Sequence, residues 1–504
     1  MTLSLEHVRV EGHGQAVVSG LSLCVHPGQV LGLVGESGSG KSMLLSAIMG
    51  LLPKGFTASG DITLEGASLN TLSEAEYTAL RGGHVGLIFQ EPMTALNPLM
   101  TIGAQVGEAL KIHGQDGPGR VEAALSDAGL SPQTVPPSRY PHELSGGQRQ
   151  RVATAIALAC QPKLLLADEP TTALDVITQK SLLEMLKARC AEDGLAMIFV
   201  THDLALVEDI ADTIAVMKAG EIVEHGPARE VCASPQHPYT RALWSAAHWH
   251  ASPASQVASS PVLEVVDMRV RYGQVSAIED ISFAVPEGSC TALIGPSGCG
   301  KSTLARAVMG LERDQSGRVL MSGEAFTQPT PKQRRAVQIV FQDPFSSFDP
   351  RRRVREILLE PFWAEKQKPE RPDLVKVLKA VGLEEDALER FPHAFSGGQR
   401  QRIAIARALL AQPKLIILDE AVSGLDASVR AEILALLVSL RQEQGLAYLF
   451  ITHDLGLLSG FADQVLIMES GRIVERGETK SVLAAPQSRY TQALIEASPH
   501  LEQA

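Results

Sequence analysis

Apolar residues alternate with polar ones at the start of the chain, and the same pattern returns past its middle. Leu3, Leu5, Val8 and Val10 predict a half-buried strand, and residues 262–266 open a second copy. Later in each copy the apolar residues become continuous, as expected of parallel strands that helices cover on both faces. The pattern therefore predicts two α/β units, with buried core strands that include residues 163–167, 196–200, 415–418 and 447–451.

The segments between these strands differ in character. The stretch from Gln90 to Ser145 is helical in pattern and broken by prolines, which predicts a helical insertion. Each unit then ends in a hairpin signal, around Gly220 and around Gly471. Residues 248–260 are small and polar and predict a linker. We therefore expect one domain at 1–247 and a second at 261–504.

One glycine-rich stretch occurs in both units, between an apolar run and a helical pattern. Its glycines let backbone N–H groups curl around an anion, its lysine reaches terminal phosphates and its serine ligates Mg²⁺. The alternative is a glycine-rich turn that binds nothing. That alternative does not explain why the stretch occurs twice with the same strand and helix patterns on either side. The phosphate-binding candidates are Gly35, Ser37, Gly38, Gly40, Lys41 and Ser42, and then Gly295, Ser297, Gly298, Gly300, Lys301 and Ser302.

Composition narrows the classes of protein that fit. A chain of 504 residues exceeds what one core usually supports, so two domains are expected. The net charge of −12 argues against a nucleic-acid binder, which ordinarily presents a basic face. Six scattered cysteines without a C-x-x-C pair predict neither a zinc site nor a disulfide framework. We also expect no signal peptide and no membrane-spanning segment, because no apolar run is long enough.

Two further motifs follow each phosphate loop in the same order. A glutamine after the next strand, Gln90 or Gln342, offers its carbonyl to Mg²⁺. A Ser-Gly-Gly-Gln stretch that opens a helix offers another anion site, although a simple helix cap is the alternative. The candidates in this stretch are Ser145, Gly147 and Gln148, with Ser396, Gly398 and Gln399 as counterparts.

Carboxylates and imidazoles end the next two predicted strands. An aspartate at a strand end can hold Mg²⁺, and the adjacent glutamate can polarise an attacking water. A histidine at the end of the following strand can hydrogen-bond the γ-phosphate, although a buried structural histidine is the ordinary alternative. These candidates are Asp168, Glu169 and His202 in the first unit, and Asp419, Glu420 and His453 in the second. The predicted Mg²⁺ ligands are Ser42, Gln90 and Asp168, and Ser302, Gln342 and Asp419.

With these motifs in this order, the chain resembles an ABC-type ATPase with two nucleotide-binding domains fused head to tail. The resemblance implies two P-loop domains of α/β class. Each would have a mainly parallel core sheet, an N-terminal antiparallel β part and a helical insertion that carries the Ser-Gly-Gly-Gln signature. It also implies that the two domains pair, so that each phosphate loop faces the other domain's signature. Site one would combine Lys41, Gln90, Glu169 and His202 with Ser396 and Gly398; site two would combine Lys301, Gln342, Glu420 and His453 with Ser145 and Gly147.

The same resemblance implies roles for residues outside the motifs. Asp175 and Asp426 match the loop that crosses between the two sites. Family members stack adenine on an aromatic ring upstream of the phosphate loop, where Tyr272 stands in the second domain. An ungapped alignment places Gly12 opposite Tyr272, and the neighbouring His13 could substitute for the ring if the loop shifts by one residue. We therefore expect weaker ATP binding at the Lys41 site, and we expect that Gly12→Tyr narrows the difference.

A finer resemblance is to the ATPases of peptide and nickel importers. It rests on residues 89–98, 140–145 and 237–243, the last of which recurs in weaker form at 488–494. It implies two integral-membrane permease subunits, an extracytoplasmic binding protein and a peripheral position at the cytoplasmic face of the inner membrane. Neither tail carries the cysteine cluster of many peptide members, so nickel or metallophore cargo stays open. The implied permease contacts are residues 93–101 and 345–354.

Two other functions remain as alternatives. A fused sugar-importer ATPase resembles a pair with one altered site, whereas Glu169 and Glu420 are both present here. A soluble ABC protein that acts on ribosomes or DNA would need no permease. The non-basic linker, the acidic net charge and the missing zinc cysteines argue against it. We therefore expect no nucleic-acid partner.

Overall fold

The computed structural model of the chain describes residues 1–89, 95–171, 174–247, 249, 260–327, 329–344, 347–364 and 368–498. The chain divides into two compact units, Met1–His248 and Trp249–Ala504. Most of the predicted linker at 248–260 lies outside the described residues, and so does Gln90. The assignment of 248–260 as a linker therefore stays a prediction.

Each unit contains a small sheet and a larger one. The strands of the first unit are β1 Leu3–Gly12, β2 Gln15–Val25, β3 Val30–Val34, β4 Phe56–Leu64, β5 Ala67–Ser68, β6 Val85–Ile88, β7 Leu164–Asp168, β8 Ala196–Thr201, β9 Thr213–Lys218 and β10 Glu221–Pro227. The small antiparallel sheet has the order β2-β1-β4-β5, and the larger sheet has the order β10-β9-β3-β8-β7-β6. In the larger sheet β9, β3, β8, β7 and β6 are parallel, and β10 is antiparallel to β9.

The second unit repeats this topology. Its strands are β11 Pro261–Tyr272, β12 Val275–Pro286, β13 Cys290–Ile294, β14 Gln315–Met321, β15 Glu324–Ala325, β16 Val337–Val340, β17 Leu415–Asp419, β18 Ala447–Thr452, β19 Gln464–Glu469 and β20 Arg472–Glu478. The two sheets have the orders β12-β11-β14-β15 and β16-β17-β18-β13-β19-β20. The predicted α/β class and the predicted core strands are thus confirmed in both units.

Helices connect the strands. In the first unit they are Lys41–Ile48, Glu74–Leu80, Ile102–Ile112, Arg120–Asp127, Gly146–Leu158, Val176–Asp193, Leu204–Ile210, Ala228–Ala233 and Pro238–Ala247. In the second unit they are Lys301–Val308, Pro331–Ala336, Val354–Leu358, Arg371–Ala380, Gly397–Leu410, Ala427–Gln444, Thr479–Ala484 and Arg489–Glu496. Short 3-10 turns lie at Pro141–Glu143, Glu360–Phe362, Glu385–Glu389, Pro392–Ala394 and Leu455–Leu458.

The helix after each phosphate loop lies in the main core of its unit. In the first unit, Leu44 and Ile48 of this helix are buried in one cluster with Leu5 of β1 and Leu31 and Leu33 of β3. Burying a side chain of this kind stabilises the fold by about 1.5–3 kcal/mol. The phosphate loop is therefore fixed at both ends, by a buried strand before it and a buried helix after it.

The predicted helical insertion has a core of its own. Ile102, Val106, Leu125, Leu144 and Val152 are fully buried in one cluster, separate from the cluster between the sheets. Leu144 directly precedes the Ser-Gly-Gly-Gln stretch, so the insertion anchors that stretch through its own packing. The prediction of a helical insertion is confirmed for the described part of the segment.

The closing hairpin of each unit reaches back to the phosphate loop. The Gly220 N–H donates to the carbonyl of Ser39 at 3.0 Å, and the Gly220 carbonyl accepts from the N–H of Ser19 in β2 at 2.8 Å. Gly220 has a φ of 85°, and an added Cβ would lie 2.5 Å from the Val17 carbonyl oxygen. Gly471 makes the equivalent two bonds in the second unit. The hairpin tip thus joins the small sheet to the phosphate loop.

Among the helices of the described residues, none is both long enough and apolar enough to cross a lipid bilayer.

Candidate ATPase sites

The first phosphate loop joins β3 to the helix Lys41–Ile48. Gly40 caps this helix with a φ of 105°, a left-handed conformation that favours glycine. A Cβ on Gly35 would lie 2.2 Å from the carbonyl oxygen of Met217, so the loop passes too close to β9 for any side chain there. Gly295 and Gly300 repeat both features in the second unit. Ser37, Gly38, Ser297 and Gly298 complete the two loops.

The loop lysines are buried and bonded to their own loops. Lys41 is 7% exposed, and its Nζ donates to the carbonyl of Gly35 at 2.7 Å and to that of Glu36 at 2.9 Å. Lys301 donates to the matching carbonyls of Gly295 and Pro296 at 2.8 and 3.0 Å. The structure therefore places each ammonium inside the curve of its loop.

The loop serine and the strand-end aspartate meet, although more than a hundred residues separate them. Ser302 Oγ donates to Asp419 Oδ1 at 3.1 Å. Burial raises the pKa of Asp419, and the hydrogen bond from Ser302 opposes that rise. Burial raises the pKa of Asp168 in the same way, against the hydrogen bond from Ser42. Each pair presents a hydroxyl and a carboxylate to one point beside the loop lysine.

The glutamate after each aspartate has an unusual backbone. Glu169 has a φ of 47° and Glu420 a φ of 49°, in the left-handed region that costs a non-glycine residue energy. The Glu169 N–H nevertheless donates to the Val200 carbonyl at 2.9 Å, which extends the β7–β8 pairing by one residue. The sharp turn therefore comes directly at the strand end.

The candidate histidines lie next to these glutamates. His202 Nδ1 is 3.1 Å from Glu169 Oε1, and His453 Nδ1 is 3.6 Å from Glu420 Oε2. Lys301 Nζ lies 3.9 Å from Glu420 Oε1. Burial disfavours ionisation of Glu420, but the hydrogen bond and charge of His453 outweigh it and lower the pKa of Glu420. Glu420 in turn raises the pKa of His453 against the effect of burial. Glu420 and His453 thus each stabilise the charged form of the other.

The signature residues form helix caps in both units. Ser145 Oγ accepts from the Gln148 N–H at 3.2 Å, and the Gln148 side chain accepts from the Ser145 N–H at 3.1 Å. Ser396 and Gln399 form the same reciprocal capping box. The cap alternative is therefore present in the structure. A cap alone does not account for the second glycine of the signature.

That second glycine is required by close packing. A Cβ on Gly147 would lie 2.9 Å from Thr178 Cγ2, and one on Gly398 would lie 2.3 Å from Val429 Cγ1. Asp175, which precedes the helix Val176–Asp193, caps it by accepting from the Thr178 N–H at 3.0 Å. The signature and the Asp175 loop are thus packed together within the first unit.

Some predicted site residues are placed only by the topology. Gln342 is exposed and lies two residues beyond the end of β16, at the sheet edge where Asp419 ends β17. Asp426 directly precedes the helix Ala427–Gln444. Gln90 lies outside the described residues. The pairing of each phosphate loop with the other unit's signature stays a prediction.

The adenine prediction needs a correction for the first unit. Strand register places Gly12 opposite Gln15, as it places Tyr272 opposite Val275, so the alignment of Gly12 with Tyr272 is confirmed. However, a Cβ on Gly12 would lie 2.2 Å from the ring of Phe56. Gly12→Tyr would therefore have to displace the Phe56 ring, which corrects the expectation that position 12 has room for a second ring; the effect of this change on ATP binding stays a prediction.

Two aromatic rings lie at this position, and the sequence alignment finds only one of them, His13. Phe56 is the cross-strand neighbour of Gly12 in β4, and His13 packs edge-on against Phe56 with ring centroids 5.2 Å apart. The register of β1 with β4 is the signal that finds Phe56. In the second unit, Tyr272 is 48% exposed and its hydroxyl accepts from Arg306 at 3.4 Å.

Two families and a solved structure are similar to parts of this chain. The family described as ABC transporter matches residues 18–172 and 278–423. The family described as oligopeptide/dipeptide transporter, C-terminal region, matches residues 223–261 and 474–504. A solved ATP-binding cassette, the dimeric MJ0796 bound to ADP and Pi, is 31% identical and covers 45% of this chain and 99% of its own, with a TM-score of 0.41.

Two curated relatives match nearly the whole chain. The glutathione import ATP-binding protein GsiA of Escherichia coli (strain K12) is 39% identical, over 97% of this chain and 87% of its own length. The peptidoglycan transport ATP-binding protein YejF of Agrobacterium fabrum (strain C58) is 40% identical, over 97% of this chain and 94% of its own length. The phosphate loops, the strand-end carboxylates and these matches together show that the chain is an ATP-binding ATPase that belongs to the ABC transporter family.

Proposed function

We propose that this chain powers the import of peptides through separate membrane permeases, by hydrolysing ATP at two sites. The observation that carries the proposal is the oligopeptide/dipeptide transporter C-terminal region, which follows the ATPase core in both units. The curated relatives support the same class, since one is a glutathione import ATP-binding protein and glutathione is a small peptide. Both glutamates are present, which favours two working sites over one altered site.

The catalytic roles follow from the positions of the side chains. Lys41 and Lys301 would contact the terminal phosphates of ATP. Glu169 and Glu420 would orient and polarise the attacking water, and their histidines would hold each carboxylate in place. Each composite site would be completed by the signature of the other unit, with Ser396 and Gly398 or with Ser145 and Gly147.

The residues at each loop also fit Mg²⁺. Asp419 and Ser302 offer a buried carboxylate and a hydroxyl 3.1 Å apart, and oxygen ligands are what this ion prefers. Asp168 and Ser42 would serve in the first unit, and Gln90 and Gln342 would add side-chain carbonyls. When bound, Mg²⁺ neutralises the charge that develops on the phosphates.

One described surface of the first unit supports permease docking. Leu99 is 85% exposed, whereas Leu96 beside it is buried. A large apolar side chain held in water at the tip of a turn fits an apolar partner. We propose that two permease subunits contact residues 93–101 and 345–354, which would place the chain at the cytoplasmic face of the inner membrane. Residues 93, 94, 345 and 346 lie outside the described residues.

Uptake by the native host tests the proposal. We expect deletion of this coding sequence to abolish uptake of radiolabelled glutathione or a radiolabelled dipeptide mixture. The wild-type chain should restore uptake, whereas the Glu169→Gln/Glu420→Gln chain should not. Unchanged uptake of both labels after deletion would overturn peptide import. Loss of ⁶³Ni²⁺ uptake with intact peptide uptake would assign the chain to nickel cargo instead.

A further inference from the structure

The C-terminal helix of the first unit contacts the phosphate loop directly. The hydroxyl of Tyr239, in the helix Pro238–Ala247, accepts a hydrogen bond from the Glu36 backbone N–H at 3.1 Å. The two residues are 203 positions apart in sequence. On the other side, Lys218 Nζ lies 4.6 Å from the centre of the Tyr239 ring. The tyrosine is therefore held between the end of β9 and the loop.

This hydrogen bond acts on the peptide group that also holds the loop lysine. The Glu36 N–H and the Gly35 carbonyl belong to one trans peptide and point in opposite directions. Lys41 Nζ donates to that carbonyl at 2.7 Å. The Gly35–Glu36 peptide is thus bonded on both sides, in a continuous chain from Tyr239 to Lys41. Bonds in such a chain polarise and strengthen one another.

The helix that carries Tyr239 is fixed at its start. Glu224 of β10 accepts from the backbone N–H of Gln236 at 2.7 Å and from that of His237 at 2.9 Å. Burial disfavours the ionised form of Glu224, but its hydrogen bonds outweigh burial and lower its pKa. The helix therefore has a defined position relative to the sheet that carries the phosphate loop.

The second unit has the same helix but a different loop. Glu475 accepts from the N–H groups of Gln487 and Ser488 at 2.8 and 2.9 Å, so the helix Arg489–Glu496 starts in the same way. Tyr490 occupies the position of Tyr239 in the repeated motif. Pro296, however, stands where Glu36 stands, and proline has no N–H to donate. The chain of bonds to the loop lysine therefore cannot form there.

We propose that Tyr239 is a positioning residue for ATP at the first site. Its hydroxyl holds the Gly35–Glu36 peptide in place and, through that peptide, Lys41. The helix Pro238–Ala247 therefore sets ATP affinity at the Lys41 site and not at the Lys301 site. The inference rests on ATP binding by the phosphate loop and is independent of the cargo. Failure of the uptake experiment would leave it standing.

Titration of the full chain with a fluorescent ATP analogue tests this inference. In a Lys301→Ala background, which leaves the first loop to bind, we expect Tyr239→Phe to weaken binding roughly 3- to 10-fold, the usual net effect of one hydrogen bond. The ATP concentration at half-maximal turnover should rise by the same factor, with turnover at saturating ATP unchanged. Unfolding temperature should stay the same, since only a hydroxyl is lost.

Glu36→Pro tests the same bond from the other partner. The second loop already carries proline at this position, so the loop can accept it. Glu36→Pro should weaken binding like Tyr239→Phe, and the double variant should be no weaker than either single one, because both remove one bond.

The second unit supplies the matched control. In a Lys41→Ala background, Tyr490→Phe should leave binding unchanged. With Pro296→Glu added, the same Tyr490→Phe change should become unfavourable. The inference is overturned if Tyr239→Phe has no effect on affinity. It is equally overturned if the Tyr239→Phe and Glu36→Pro effects simply add, or if Tyr490→Phe weakens the wild-type second loop to the same degree.

Discussion

The two units have the same chemical groups at their strand ends and differ in the residues around them. Both present a lysine, a serine–aspartate pair and a glutamate–histidine pair in the same order. Around this set the residues differ: Glu36 corresponds to Pro296 in the second copy, Leu99 to Arg351 and Cys190 to Arg441. Groups that touch phosphate are limited by its chemistry, whereas their neighbours need only hold them in place. We therefore expect the differences to affect ATP affinity, permease docking and stability more than the reaction itself.

The largest difference between the two units would be an ATPase site that proves inactive. Glu169→Gln and Glu420→Gln should each lower permease-stimulated ATP turnover about 100- to 10,000-fold at the altered site while ATP still binds, because the amide cannot accept a proton from water. Turnover at each site can be followed by trapping of radiolabelled nucleotide. A variant that keeps its full turnover would show that its site does not hydrolyse ATP in the wild-type chain.

The largest stability difference is expected at a buried ion pair that the second unit alone carries at this position. Arg441 is 3% exposed and donates to Asp463 at 3.0 Å and to the Phe461 carbonyl at 3.1 Å. The first unit has the buried thiol of Cys190 there, and burial raises the pKa of that thiol to about 12. Arg441→Cys should destabilise the second unit by about 3 kcal/mol, which is the lower end of the range for breaking a buried ion pair. The lower end applies because Asp463 would still accept a hydrogen bond from the Cys290 N–H.

Calorimetry of the full chain measures this effect. Arg441→Cys should lower the unfolding transition of the second unit and leave that of the first in place. Cys190→Ala is the matched control, and we expect it to cost about 1 kcal/mol in the first unit. An Arg441→Cys chain as stable as wild type would mean that Asp463 needs no partner beyond the backbone.

The residues proposed to contact adenine also differ between the two units. Tyr272→Ala should weaken ATP at the second site roughly 5- to 150-fold, the range for one lost base–aromatic stack. Phe56→Ala and His13→Ala should weaken the first site by less, because Phe56 also packs in the core and His13 is exposed. Titrations in Lys41→Ala and Lys301→Ala backgrounds give both affinities. Equal losses at both sites would remove the predicted asymmetry.

The smallest expected effect is on the affinity of the proposed permease contacts. In the first unit the N–H of Leu99 donates to Asn97 Oδ1 at 3.0 Å, which forms a turn that exposes Leu99. In the second unit the N–H of Arg351 makes the same bond to Asp349 Oδ1, so Arg351 takes the place of Leu99. We expect Leu99→Arg to lower affinity for the permeases about 5- to 10-fold. Arg351→Leu serves as the partner variant. Pull-down of detergent-solubilised permeases measures both, and an unchanged Leu99→Arg complex would exclude this contact.

The fold can be predicted from the sequence because the period of the apolar positions and the length of the apolar runs depend directly on which faces are buried. The alternation at Leu3 and Leu5 lies in β1, and the apolar residues 164–167 of the predicted run lie in β7. The two phosphate loops and the aspartates that meet their serines were also predictable, because a buried strand fixes where its end lies. These features depend on neighbours that are close in sequence or joined by a regular sheet.

The features that sequence did not reveal depend on long-range contacts or on backbone conformation. The Phe56 ring beside Gly12 follows from strand register, which alternation alone does not give. The bond from Glu36 to Tyr239 joins positions 203 apart. The left-handed backbone of Glu169 is set by the turn after β7 and has no signature in residue type, since glutamate rarely adopts it.

The hairpin tip at Gly220 has a consequence for protein engineering. Exposed hairpin turns are normally the places where a fluorescent domain or an affinity tag is tolerated. Here Gly220 bonds to the phosphate loop and to β2, and an added Cβ would lie 2.5 Å from the Val17 carbonyl oxygen. A tag inserted at this tip should abolish nucleotide binding. A Cβ added at Gly66 would meet no atom within 4 Å, so we expect this turn to tolerate a reporter domain better.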